Sequence, residues 1–167
     1  MRDLQGLYDD HAQALFGFLL NFTRDIEDTR EALQEVFIKL ARAPECLAGV
    51  RDERGFLLRL AHRVAIDLAR RRGSRSRRDE RFSAEQVPIF APDPDPDEAA
   101  VRAAVAAALG ELPPEQRAVV HLKLWEGLTF DEIAAALEIP VNTAASRYRY
   151  GIDKLRERLR PVYDEIK

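Results

Sequence analysis

Apolar residues along the chain recur mostly at three- and four-residue intervals, and period-two alternation is scarce. That spacing lines one face of a helix and predicts an all-α protein. A first helix begins near Asp3 and turns Leu4, Leu7, Leu15, Phe18 and Leu19 inward. A second starts near Asp25, with Asp25, Glu27, Asp28 and Glu31 in its first turns, where the helix dipole favours negative charge. Its stripe, Leu33, Val36, Phe37 and Leu40, follows the i, i+3, i+4, i+7 rule. Pro44 to Arg54 reads as a loop. A third helix runs from about Gly55 to Arg72 and buries Leu57, Ala61, Val64 and Leu68.

The second half repeats the theme with shorter elements. An alanine-rich helix covers Ala99 to Leu109 and stops at Gly110. Pro113-Pro114 opens the next, which ends near Gly127. Thr129 and Glu132 form a capping box for a short helix through Leu137. Glu138-Ile139-Pro140 is a turn, and a last helix runs from Val141 to about Leu159. Ile133, Ala134 and Leu137 face Ala144, Tyr148, Ile152 and Leu155, which is helix-turn-helix geometry. Four of the nine prolines fall at 88, 92, 94 and 96, in an acidic stretch that cannot continue a helix. The expected organisation is two small helical domains, 1–80 and 99–167, joined by a flexible, acidic, Pro-rich linker at 81–98.

Composition narrows the function classes. At 167 residues and 46% hydrophobic, the chain can bury a core. The apolar run Ala103–Leu109 is far short of the ~20 residues of a membrane span, so no membrane insertion is expected. The N-terminus lacks a signal-peptide layout, and Cys46 is the only cysteine, which excludes an internal disulfide and a cysteine metal site. A cytoplasmic setting follows. His11, His62 and His121 are scattered, and there is no glycine-rich phosphate loop or nucleophile elbow. Neither an enzyme nor a bound cofactor is expected, and Trp125 belongs to the core.

The net charge of −3 conceals opposing blocks: −5 over 1–53, +7 over 54–81, −8 over 82–141 and +3 over 142–167. Two separated basic blocks in an acidic chain point to two places that meet a polyanion; solvated helix faces are the plainer reading. In the third helix Arg59, His62, Arg63 and Arg70 lie opposite the apolar stripe, and Arg71, Arg72, Arg75, Arg77 and Arg78 extend the block. Arginine forks suit phosphate. Asp67, four residues from both Arg63 and Arg71, is expected to order them by ion pairing. The last helix presents Asn142, Ala145, Ser146, Arg149 and Tyr150, flanked by Thr143 and Arg147, a face that fits a DNA major groove. A third face, Asp28, Glu31, Gln34, Glu35 and Ile38, is left outside the second helix. Glu35 and Lys39 also pair at i, i+4, so the residues alone do not choose between a protein-binding and a solvated face.

Several segments resemble a known family. Leu112-Pro113-Pro114-Glu115-Gln116-Arg117, Trp125 through Ala134, Ile139 through Thr143 and Ser146-Arg147 resemble region four of bacterial sigma factors. Asp25 to Leu40 and Leu60 to Asp67, with the arginine tail, resemble region two. The short linker makes the chain similar to the extracytoplasmic-function group of the sigma-70 family.

The resemblance implies a subunit that binds core RNA polymerase and directs it to promoter DNA. Region two would hold the beta-prime clamp helices through the face with Gln34 and Glu35. The Pro44–Arg54 loop and the helix from Gly55 would capture an unpaired base of the minus-ten element, which puts Arg54, Phe56, Arg59, His62, Arg63, Arg70 and Arg71 against DNA. Region four would read the minus-thirty-five element from Val141 onward and touch the beta flap. An anti-sigma factor would hold the lobes together and hide both DNA faces. His62-Arg63 stands where such proteins usually have Arg-Asn, Glu138 replaces the usual turn glycine, and Ala145 replaces a common basic residue. A stand-alone helix-turn-helix regulator is the rival reading; it leaves the arginine-rich helix and the Gln34 face unexplained. An all-α enzyme is the third.

Overall fold

The computed structural model describes residues 3–73 and 95–166. They form α1 (Leu4–Thr23), α2 (Ile26–Arg42), a 3₁₀ turn (Pro44–Leu47), α3 (Glu53–Arg72), α4 (Pro96–Gly110), α5 (Pro114–Leu124), α6 (Phe130–Leu137) and α7 (Val141–Ile166). No strand occurs among the described residues. Short polar side chains start most of these helices. Asp3, Asp25, Asp52 and Asp95 each accept a backbone N–H at an N-cap, a contact worth about 1 kcal/mol. Thr129 and Glu132 close both halves of the capping box.

Four boundaries differ from the periodicity; one is the end of α5, at Leu124 rather than near Gly127. The Pro44–Arg54 loop is shorter than expected, because Asp52 caps the backbone of Gly55 and draws Glu53 and Arg54 into α3. α4 starts at Pro96, since Asp95 caps it and proline costs nothing at the first position; Asp97 and Glu98 are therefore helical. α7 continues past Leu159 to Ile166 with Pro161 inside it. That proline forfeits one bond, to the carbonyl of exposed Glu157, at a helix end where hydration replaces it. Residues 81–94 of the expected linker, and Arg75, Arg77 and Arg78, lie outside the described residues.

α1, α2 and α3 pack as a bundle over Leu7, Leu15, Phe18, Leu19, Val36, Leu40, Leu57, Val64 and Leu68. Leu4, expected inside, is 38% exposed, because the first turn of α1 projects beyond its neighbours' cover. In the second lobe Ala108, Leu109, Leu112, Val120 and Leu155 join α4 and α5 to α7. Gly151 permits a close crossing there: a Cβ would lie 2.7 Å from Val120 Cγ2.

The two lobes are in direct contact. The bundle's core continues into Ala118, Val119 and Leu122 of α5 and Ile133 and Leu137 of α6. α1 packs on α5 and α3 on α6. Polar ties cross this seam. Arg117 of α5, 5% exposed, donates to the Asn21 carbonyl, to the Phe22 carbonyl at 2.8 Å and to the Leu112 carbonyl at 3.0 Å. The first two are last-turn carbonyls of α1, where a cation also meets the negative end of the helix dipole. Asn21 donates to His121 Nδ1 at 2.6 Å, and Arg24 donates to the Ala106 carbonyl at 3.2 Å.

Candidate nucleic-acid interfaces

The arginine face of α3 lies along the seam. Phe56 packs against the core, and Arg59 is half-buried. Arg54 donates to the Glu126 carboxylate at 2.6 Å and to the Glu126 backbone carbonyl. Arg63 engages Glu138 through two nitrogens, one at 3.0 Å. His62 lies edge-on to Phe22, 5.3 Å between centroids, and near Phe18. Burial lowers its pKa below the usual 6.5; Glu138 opposes that shift and Arg147 adds to it. Burial pulls the Glu126 carboxyl up, but the contacts of His121 and Arg54 outweigh it and leave the pKa below normal. Two of the arginines expected against DNA, Arg54 and Arg63, are therefore ion-paired within the chain.

Asp67 does not order the arginines. Arg63 takes Glu138, while Arg71 takes Glu35 at 3.0 Å, because both guanidiniums reach carboxylates on neighbouring helices. Arg72 likewise pairs with Asp28 and Glu31. The acidic face of α2 and the basic end of α3 therefore neutralise each other in part, a relation that periodicity within one helix does not reveal. Arg70 remains exposed.

Gln34 and Ile38 also remain exposed, and they border an open apolar groove lined with Leu4, Tyr8, Leu33 and Phe37. Sequence reasoning placed Leu4 in the core and missed Tyr8; both are exposed at 38% and 47%. An unburied apolar residue at the edge of each stripe was the available signal.

In the second lobe Glu138 terminates α6 with φ 57 and ψ 48. The left-handed region costs a residue with a Cβ roughly 1 kcal/mol. The turn sets α7 across α6, with Phe130 edge-on to Tyr148 at 5.5 Å. Asn142, Arg149 and Tyr150 are exposed; Thr143, Ala145, Ser146 and Arg147 are half-buried. The Arg149 guanidinium lies 5.2 Å over the Tyr150 ring. Arg54 and Arg63 of α3 are thus engaged at the seam, while the outer edge of α7 stays open.

Comparison with known proteins decides what these faces belong to. The Sigma-70 region 2 model matches residues 7–75, and the Sigma-70, region 4 model matches residues 102–155. ECF RNA polymerase sigma factor SigX of Bacillus subtilis is 30% identical over 97% of this chain and 86% of its own. The chain belongs to the ECF sigma factor family. A second relative, ECF RNA polymerase sigma factor SigL of Mycobacterium tuberculosis, is 31% identical over 92% of this chain and 86% of its own. The sigma factor RpoE of Bartonella quintana, solved in complex with the anti-sigma factor NepR, matches with a TM-score of 0.76 at 19% identity. It covers 96% of this chain and 98% of that one, which supports the fold.

This sigma factor accordingly works with core RNA polymerase and promoter DNA in transcription initiation, and the stand-alone regulator is set aside. Sigma factors are not enzymes. No described helix is long and apolar enough to cross a membrane.

Proposed function

We propose a division of labour between residues 1–80 and 99–167, tethered by 81–98. Asp28, Glu31, Gln34, Glu35 and Ile38 engage the beta-prime clamp helices; the open groove beside Gln34 and Ile38, lined with Leu4, Tyr8 and Phe37, supports this. Arg54, Phe56, Arg59, His62, Arg63, Arg70 and Arg71 on α3 meet the minus-ten element once the lobes separate. Asn142, Thr143, Ala145, Ser146, Arg147, Arg149 and Tyr150 on α7 read the minus-thirty-five element, and the second lobe also touches the beta flap. The protein acts in the cytoplasm, has no catalysis of its own, and is a target for an anti-sigma factor that binds the closed form.

The observation that carries this reading is the exposed Asn142, Arg149 and Tyr150 edge of a capped helix-turn-helix, joined in one chain to an arginine face on α3. Two weak DNA contacts tethered to one polymerase act bivalently. Core RNA polymerase with this protein and a promoter library tests it: specific transcripts are expected, and the absence of both transcripts and holoenzyme refutes it. Glu35→Lys is expected to weaken polymerase binding, and unchanged affinity would remove the α2 face from the assignment.

A further inference from the structure

Two arginines of α3 are already answered by carboxylates of the other lobe. Glu126, on the turn after α5, holds Arg54, and Glu138, on the turn after α6, holds Arg63. Only two non-glycine residues among those described have positive φ: Arg24 and Glu138. Each ends a helix at a position where glycine fits without strain. Each also sends its side chain across the seam, Arg24 to the Ala106 carbonyl and Glu138 to Arg63. Unfavourable backbone geometry and interlobe contact thus coincide at both positions.

A carboxylate presents a guanidinium with much the same pair of anionic oxygens as a phosphate diester. We propose that Glu126 and Glu138 act as phosphate surrogates within the chain, occupying Arg54 and Arg63 and holding the free protein shut, so that α3 is silent toward DNA until the lobes part. The proposal rests on the reading that α3 contacts DNA. It differs from sequestration by a partner, because the masking groups belong to the chain itself.

The magnitude is moderate. Partly exposed pairs each change an equilibrium by about 1.5- to 5-fold, and Glu126, with its side chain 11% exposed, stands at the upper end. Removing both is expected to raise the open fraction roughly tenfold. DNA that binds α3 only in the open form then gains affinity by the same factor, because apparent affinity scales with the competent fraction.

The test uses the full chain with Cys46→Ser, a donor and acceptor at exposed Gln13→Cys and Lys154→Cys, and a labelled single-stranded DNA of mixed sequence as probe. In Glu126→Gln/Glu138→Gln, energy transfer is expected to fall and DNA affinity to rise by a common factor. Glu157→Gln/Glu165→Gln, with the same change in net charge away from the seam, is expected to leave both unchanged. Glu138→Gly, which relieves the backbone, supplies a second variant that folds. Unchanged transfer in both seam variants overturns the latch. An equal affinity gain in the control overturns it too, as bulk charge. Opening without a gain in affinity overturns the masking. Exposed Arg70 then separates the causes: if Arg70→Ala weakens DNA binding, α3 does contact DNA and the masking alone fails; if it does not, the reading of α3 fails.

Discussion

Arg117→Met removes a guanidinium while keeping an apolar stem in its place. Four carbonyls lose a donor: Asn21 and Phe22 at the end of α1, and Gly110 and Leu112 before α5. Hydrogen bonds from a charged donor are worth about 1.5–3 kcal/mol each, and bare buried carbonyls cost part of that again. Water reaches some of them in the variant, so the loss is set at about 3–4 kcal/mol rather than the sum. For a chain of this length 1 kcal/mol moves Tm by roughly 2–4 °C, so a drop of about 6–16 °C is expected. Urea and thermal unfolding followed by far-UV circular dichroism measure it. Arg117→Lys keeps the charge but not the fork, and is expected to fall about midway. A loss below about 1 kcal/mol in Arg117→Met would refute the view that this side chain ties the lobes together.

Other expectations follow from single contacts. Gly151→Ala places a Cβ 2.7 Å from Val120 Cγ2 and is expected to cost about 1–3 kcal/mol of stability by overpacking, read by denaturation. Thr129→Ala breaks the capping box and is expected to cost about 1 kcal/mol and to reduce binding of duplex promoter DNA by α7, read by anisotropy. Burial lowers the pKa of His62 below 6.5, with Glu138 raising and Arg147 lowering it. Its contribution to stability is therefore complete above pH 6.5 and is lost as pH falls below that value toward the folded pKa. Denaturation midpoints of the wild type are expected to decline below pH 6.5 more steeply than those of His62→Gln, and parallel curves would refute the assignment.

Most of the fold was legible because local rules and tertiary packing agree. The stripe Leu33, Val36, Phe37, Leu40 and the capping box at Thr129 each have one physical solution, and the structure adopts it. Boundaries failed where a capping aspartate acted ahead of the apolar pattern, as Asp52 and Asp95 do. The partners of the site residues were not legible. Arg63 finds Glu138, 75 positions away, in place of Asp67 on its own helix, and nothing in the spacing of charges encodes that choice. Glu138 was visible as an odd residue for a turn, but its use is evident only once α6 lies against α3.

The apolar groove on α1 and α2 has a bearing on traffic in the cell. A genome offers about 10⁶–10⁹ competing non-specific sites to any exposed basic helix. On the proposed latch, a free subunit has Arg54 and Arg63 occupied by its own carboxylates while Tyr8, Gln34 and Ile38 stay uncovered, so it offers chromosomal DNA fewer of its cations. On that reading, docking of polymerase on the groove precedes full engagement of promoter DNA by α3.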